Sequence, residues 1–219
     1  MARHQIVVVD YHKGNLLSVA RSVSAVGGDV IVSDDPRTIR EAGGIILPGV
    51  GSFEDAMAYM RPTCQADAVV RAVQSGVPFL GICLGLQLLY DRGSERNGDI
   101  SWGGEWVPGL GILSGSVTKL DAGRLKVPHV GWDQVHLTDV GRQCPLFVDV
   151  AEGANVYFTH SYALSTDVDE ETIVSRTHYT RTFASAVWQD NVYGVQFHPE
   201  KSSTTGLTIL HNFVQVVRG

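Results

Sequence analysis

Short β-branched runs alternate with amphipathic stretches through the first half of the chain. Residues 6–10 read as a buried strand, and 15–26 follow with Leu16, Val19, Val23 and Val26 spaced as one face of a helix. Gly27-Gly28 ends that helix, and 29–33 is a second strand. Residues 44–47 form a third, followed by a tight loop at Pro48-Gly49-Val50-Gly51. Ser52 is placed to cap a helix running to Met60, with Glu54 and Asp55 suited to its first turn. Residues 66–73 are again helical, Gly76 stops them, 77–82 is a fourth strand, and 84–90 continues as a helix. Strand and helix alternating at this spacing predict a parallel sheet covered on both faces.

The second half changes character. Residues 93–115 are glycine-rich, carry Trp102 and Trp106, and are expected to be loops. Short alternating segments then follow at 117–120, 134–137, 155–159, 173–177, 183–188 and 192–197, the pattern of antiparallel strands added to the sheet. An amphipathic helix over 205–217 carries Leu207, Leu210, Phe213 and Val217 on one face. With no internal repeat and no linker-like tract, the expectation is one α/β domain.

Composition removes several function classes. A 44% apolar share is ample for a core in a chain of 219 residues. The net charge of −6 is made of interspersed acids and bases with no basic cluster, which argues against a nucleic-acid partner. Cys64, Cys83 and Cys144 include no CxxC pair, so neither a disulfide framework nor a structural zinc site is expected. The apolar run after the first residues is too short for a signal-peptide core, and no stretch reaches the length of a membrane span. A cytoplasmic protein is expected.

Against this background two local patterns carry chemistry. Gly81-Ile82-Cys83-Leu84-Gly85 stands where a buried strand hands over to a helix and has the form G-x-C-x-G, the cysteine version of a nucleophile elbow. A sharp strand-to-helix turn leaves little room for a Cβ beside the nucleophile, hence the flanking glycines. It thrusts the sulfur out at the carboxyl edge of the sheet, where α/β proteins bind ligands, facing a helix N-terminus that favours the thiolate. The bland alternative is a small buried filler in a crowded turn. Cys64 and Cys144 have no elbow, and for them the bland reading wins.

The second pattern is His198-Pro199-Glu200 at the end of an apolar strand. In extended chain, residues two apart share a side, so the imidazole and the carboxylate can lie together, and Pro199 keeps His198 extended. A cysteine nucleophile needs a base, and the base needs a third group to fix its tautomer and orientation. Taken alone the tripeptide would read as a solvated surface turn; beside an independent cysteine elbow it reads as base and orienter. His129, His136, His160, His178 and His211 lack metal-ligand spacing, so no metal site is expected.

Elbow and tripeptide together resemble the class I (triad) glutamine amidotransferases. Within that family, Asp10-Tyr11 with Gly14-Asn15, LPGVG at 47–51 and GICLGLQLLY at 81–90 are similar to the glutaminase subunits of imidazole glycerol phosphate synthases. So are Gly109-Leu110-Gly111, KVPHVGW at 126–132, YFTHSY at 157–162 and QFHPEKS at 196–202. These blocks span nearly the whole chain; PGVG, KVPHVGW and HPEKS discriminate this branch from other amidotransferases. Departures are His12-Lys13, where the family usually has Gly after Asp-Tyr, and residues 96–107, which match no family pattern.

The resemblance implies a flavodoxin-like fold: a mostly parallel central sheet flanked by helices, with added antiparallel strands. It implies no cofactor and a Cys83, His198, Glu200 triad that hydrolyses glutamine, with oxyanion donors at Leu84 and in the Gly49-Val50 peptide. The family is known for reorientation of that peptide, which Gly49 would permit. Gly51, Gln87, Glu95, Ser161 and Tyr162 match substrate positions, although Gln87 and Glu95 equally suit an ordinary polar helix surface. Asn15, Trp132, Tyr157 and Lys201 match the face that docks a (β/α)8-barrel cyclase, and Trp132 equally suits a core aromatic. In that family the heterodimer passes ammonia to the cyclase, which makes imidazole glycerol phosphate and aminoimidazole carboxamide ribonucleotide in histidine biosynthesis.

Overall fold

The computed structural model describes residues 4–98, 102–121 and 123–219. Its first half alternates strand and helix: β1 (Ile6–Val9), α1 (Leu16–Ala25), β2 (Val30–Ser33), α2 (Pro36–Arg40), β3 (Gly44–Gly49), α3 (Phe53–Met60), α4 (Gln65–Gln74), β4 (Phe79–Cys83) and α5 (Leu84–Leu88). Three short strands follow, β5 (Tyr90–Gly93), β6 (Val107–Pro108) and β7 (Leu113–Lys119). The remainder is β8 (His129–Leu137), β9 (Ala154–His160), β10 (Tyr162–Leu164), β11 (Ile173–Tyr179), β12 (Arg181–Gln189), β13 (Val192–Val195) and α6 (Ser203–Arg218).

Nine strands join in one sheet in the order β2-β1-β3-β4-β13-β12-β11-β8-β9. From β2 to β13 the pairings are parallel. Beyond β13 they are antiparallel. The first run of β-branched residues shows how the layers form. Strand side chains alternate between faces, so Ile6 and Val8 pack with Val19, Val23, Ile209 and Phe213, while Val7 and Val9 pack with Met57, Met60 and Val69. Helices α1 and α6 thus cover one face, and α3 and α4 the other. A strand buried on both sides has no polar face to display, which is why β1 reads as a continuous apolar run.

Local chemistry accounts for most boundaries. Ser52 Oγ accepts from the Asp55 backbone N–H at 3.2 Å, capping α3 where the Ser-Phe-Glu-Asp sequence places a start. Helix α2, absent from the sequence expectation, has its own cap: Asp35 Oδ1 accepts from Arg37 N–H at 3.0 Å and Pro36 occupies the first turn. Among the described residues no helix is long and apolar enough to cross a membrane.

Three expectations are corrected. Pro48 and Gly49 belong to β3 rather than to the loop after it, since Pro48 pairs with Ile82 and Gly49 with Cys83. The helix after Cys83 ends at Leu88, and Tyr90 already begins β5. Residues 93–115 are not all loop: β5, β6 and β7 form, with β10, a second sheet in the order β10-β7-β5-β6. Glycine there serves close packing, because a Cβ on Gly109 would lie 2.0 Å from the Tyr90 carbonyl oxygen.

The unplaced segment 96–107, of which 99–101 lie outside the described residues, is organised around one carboxylate. Glu54, 1% exposed in α3, accepts from the backbone N–H groups of Asn97 and Gly98 and from Trp102 Nε1, the last at 2.8 Å. Burial works against that charge, and the donors outweigh it, holding the carboxyl below its usual range.

The two glycines flanking Cys83 are fixed by contact. A Cβ on Gly85 would meet the Leu47 carbonyl oxygen at 1.7 Å, and one on Gly81 the Gly85 oxygen at 2.5 Å. Gly85→Ala is expected to cost about 2–3 kcal/mol, because backbone on both sides must move. Gly104→Ala, where nothing among the described residues lies within 4 Å, should stay within about 0.5 kcal/mol of the parent. Urea unfolding midpoints of the two variants check the contrast.

Candidate active site

Four parallel strands deliver the site, because their carboxyl ends converge where an α/β sheet leaves room for a ligand. Tyr11 follows β1, Gly49 ends β3, Cys83 ends β4, and Gln196 to His198 follow β13. Gly49 pairs directly with Cys83, and Val195 pairs with Ile82. Cys83 takes φ 54° and ψ −105°, a conformation that side-chain-bearing residues avoid and that costs on the order of 1–3 kcal/mol. Helix α5 contributes only five residues after it, so the dipole expected to favour the thiolate is that of little more than one turn. The nearer charge partner is His198.

His198 and Glu200 do meet, by a different route from the extended one that the sequence suggests. His198 is extended (φ −100°, ψ 98°), but Pro199–Lys201 close a 3-10 turn. That turn brings Glu200 Oε1 to 2.9 Å from His198 Nδ1, with both side chains almost wholly buried. Nδ1–H therefore donates to the carboxylate, leaving Nε2, which has no hydrogen-bond partner among the described residues, as the atom available to a proton. Burial alone would lower the imidazole; contact with Cys83 and Glu200 and their charge outweigh it and push His198 up to about 10. The result is a protonated imidazole held between the Cys83 sulfur and the Glu200 carboxylate.

The backbone of the His198 turn is held by a neighbour. His198 N–H donates to the Tyr157 carbonyl at 2.9 Å, Ser202 Oγ donates to the His198 carbonyl at 2.6 Å, and the same Oγ accepts from Tyr157 N–H at 2.9 Å. Ser202, 1% exposed, was not singled out in the sequence; the only signal for it was its place in HPEKS.

A cleft of about 260 Å³ opens over the sulfur. Cys83, Val50, Leu84, Gly51, Gln87, Glu95, Ser161 and Tyr162 line it. Pro128, Thr159 and His160 complete the wall and were not anticipated. Gln87 is not on a polar helix surface: it is 3% exposed and its Nε2 donates to the Tyr162 carbonyl at 2.8 Å. Glu95 Oε2 accepts from Phe53 N–H at 2.9 Å, and burial pushes its carboxyl up. Gly49 lies so close to the Tyr11 hydroxyl that a Cβ there would sit 1.9 Å from it. Among the described residues no group of three or more His, Cys, Asp and Glu is placed to hold a metal ion.

Of the expected docking residues, Trp132, Tyr157 and Lys201 lie together. Trp132 is 54% exposed and so is not a core aromatic. It pairs across β8–β9 with Tyr157, ring centroids 6.1 Å apart, and Lys201 Nζ stands 5.7 Å from the Tyr157 ring. Asn15 is exposed at the start of α1. Val130, Leu125 and Val127 add exposed apolar surface on the segment that carries Pro128.

A model of the family described as glutamine amidotransferase class-I matches residues 7–217. The chain belongs to the class I glutamine amidotransferases. Among members of this family, the imidazole glycerol phosphate synthase subunit HisH of Gloeobacter violaceus is 44% identical over 211 residues, covering 96% of this chain and 88% of that one. HisH of Moorella thermoacetica is 45% identical, covering 97% and 95%. In fold the chain is similar to a crystal structure of a glutamine amidotransferase, with TM-score 0.71, 16% identity and coverage of 97% and 99%. It is likewise similar to PurLQS from Thermotoga maritima, with TM-score 0.70, 18% identity and coverage of 98% and 99%.

One wall residue of this amidotransferase cleft makes a pH prediction. His160, 5% exposed, donates from Nδ1 to the Tyr162 carbonyl at 2.9 Å, so its Nε2 must accept from His129 Nδ1 at 3.2 Å. Burial, opposed in part by the Tyr162 contact and reinforced by His129 and His198, pushes it down to about 3. The unfolded chain takes up this proton near pH 6.5 and the folded one only near 3, so stability is complete above 6.5 and falls as pH falls. The slope from this group should be about 1.4 kcal/mol per pH unit. In urea titrations between pH 7 and 4.5, His160→Asn should flatten the acid limb by close to one proton.

Proposed function

We propose that the chain is the glutaminase subunit of an imidazole glycerol phosphate synthase, releasing ammonia from glutamine through Cys83, His198 and Glu200. The observation that carries the reading is the strained elbow placing the Cys83 sulfur in a cleft wall, with a buried His198–Glu200 pair beside it. The 44–45% identity to HisH subunits over nearly the full chain supports the choice of synthase.

The Cys83 thiolate attacks the side-chain amide carbon of glutamine. Leu84 N–H and a donor from the Gly49-Val50 peptide take the developing oxyanion, each donor worth roughly 3 kcal/mol. As the C–N bond breaks, His198 gives its proton to the leaving nitrogen and ammonia departs, leaving a γ-glutamyl thioester. His198 then takes a proton from water, whose oxygen attacks the thioester, and glutamate leaves as the thiolate is restored. Glu200 keeps Nδ1 protonated throughout.

Glu95 is a half-buried carboxylate whose charge is opposed by burial and eased by one backbone N–H. The α-ammonium group of glutamine supplies the cation that such a group lacks. Gly51, Gln87, Ser161 and Tyr162 hold the rest of the substrate. The surface of Trp132, Tyr157, Lys201 and Asn15 docks a (β/α)8-barrel cyclase, which receives the ammonia without its entering bulk water. The assembly is a cytoplasmic heterodimer of single-domain glutaminase and barrel.

Cys83→Ala should lower glutamate release by roughly three orders of magnitude or more. It should leave binding of the barrel intact and allow the cyclase to run on added ammonium; release at the parental rate would remove Cys83 from the mechanism. A second expectation concerns regulation. Glutamate release by the purified chain should rise strongly when the barrel and its ribonucleotide ligand are added together. Full activity without them would instead favour a glutaminase serving another synthase.

A further inference from the structure

Gln196 is a completely buried amide one residue before Phe197 and two before His198, and neither the elbow nor the triad accounts for it. Its neighbours fix which way round it lies. The Tyr162 backbone carbonyl is only an acceptor, so the atom of Gln87 facing it at 2.8 Å must be Nε2. That same nitrogen stands 3.0 Å from Gln196 Oε1 and donates to it. Gln196 therefore turns its NH2 the other way, where Nε2 lies 3.6 Å from Cys83 Sγ. Reversing Gln196 would set two donors face to face, and reversing Gln87 would set its oxygen against two acceptors, the Tyr162 carbonyl and Gln196 Oε1.

We propose that Gln196 is a sulfur-stabilising residue: its amide, polarised by Gln87 and the Tyr162 carbonyl, donates to Cys83 Sγ and favours the thiolate. The opposing contact is the Thr159 carbonyl, 3.7 Å from the sulfur, which can accept only from a protonated thiol. Gln196 and Thr159 thus pull the sulfur toward opposite protonation states, and the amide keeps the balance on the reactive side. Other ionisable groups around the sulfur are His198, with Glu200 behind it, Tyr11 at the end of β1, and His160 and Glu95 in the cleft wall. Tyr11 and His160 are neutral donors too, but the His160 Nδ1–H is committed to the Tyr162 carbonyl, and among the described residues the Tyr11 hydroxyl makes no hydrogen bond to the sulfur. The relay also ties the nucleophile to Ser161-Tyr162, so the segment assigned to substrate orients the amide that touches the sulfur.

The inference rests on Cys83 being the nucleophile, so its test uses no glutamine and does not depend on glutaminase activity. Alkylation of Cys83 by iodoacetamide, followed across pH by peptide mass spectrometry to separate it from Cys64 and Cys144, reads thiolate formation directly. Gln196→Met keeps the reach of the side chain and removes the donor. At pH 7 alkylation of Cys83 should slow roughly tenfold, the loss of one hydrogen bond to a charged group, with the pH midpoint moved upward. An unchanged midpoint would overturn the proposal. Should the variant fail to fold, the parental protein still decides the matter by NMR. The Gln196 side-chain amide protons should shift with the same pH midpoint as Cys83 alkylation, and a flat response would overturn it.

Discussion

At the end of β4 the chain turns from strand to helix at a single residue, and that residue is the one bearing the sulfur. Cys83 holds a positive φ that costs free energy, and it stays there because the surroundings leave no alternative. Gly85 lies against the Leu47 carbonyl and Gly81 against Gly85, so β3, β4 and α5 are closer together than any Cβ would allow. The sheet pairing that puts Gly49 opposite Cys83 fixes the distance between the sulfur and the peptide proposed to receive the oxyanion. Parallel pairing with β13 brings Gln196 to the same level. One strained residue thereby sets the position of each group gathered around the sulfur.

Electrostatics around that residue decide in favour of charge despite burial. His198 is 3% exposed, a setting that disfavours an imidazolium. It is nevertheless pushed up to about 10, because sulfur lies on one side and Glu200 on the other. His160, close by and equally buried, goes the opposite way, to about 3. Its ring nitrogens face a carbonyl and a second imidazole rather than an anion. Two buried histidines are thus driven apart by partners rather than by depth. Cys144 makes the same point for thiols: buried without a cationic neighbour, it is pushed up to about 12 and is inert.

The sequence revealed those parts of the fold whose cause is local. Ser52 before Phe-Glu-Asp announced a helix start, and the four-residue run at β1 announced a strand buried on both faces. Helix α2 had the same kind of signal, Asp35-Pro36, but at five residues it shows no apolar period. The sheet of β5, β6, β7 and β10 was hidden because glycines that permit close backbone contact look like glycines of loops. At the candidate site, the proximity of His198 and Glu200 was expected from their spacing, yet the turn that joins them was not the extended chain expected. Gln196 and Ser202 stood inside a recognised block without a visible role, since what defines them is the direction of hydrogen bonds to residues far away in sequence.

Those long-range bonds also join the outer face to the chemistry. Trp132 and Tyr157 are register partners on β8 and β9, and both present aromatic surface outward. The Tyr157 backbone meanwhile accepts from His198 N–H and donates to Ser202 Oγ, which donates in turn to the His198 carbonyl. A displacement of β9 at Tyr157 must therefore carry His198 with it or break the closed set of bonds around that turn. Three residues further along the same strand, His160 walls the cleft and contacts the Tyr162 carbonyl that orients Gln87. His198 and the amide that contacts the sulfur are consequently held from one strand whose far side is the aromatic face of Trp132 and Tyr157, so any shift of that face reaches both.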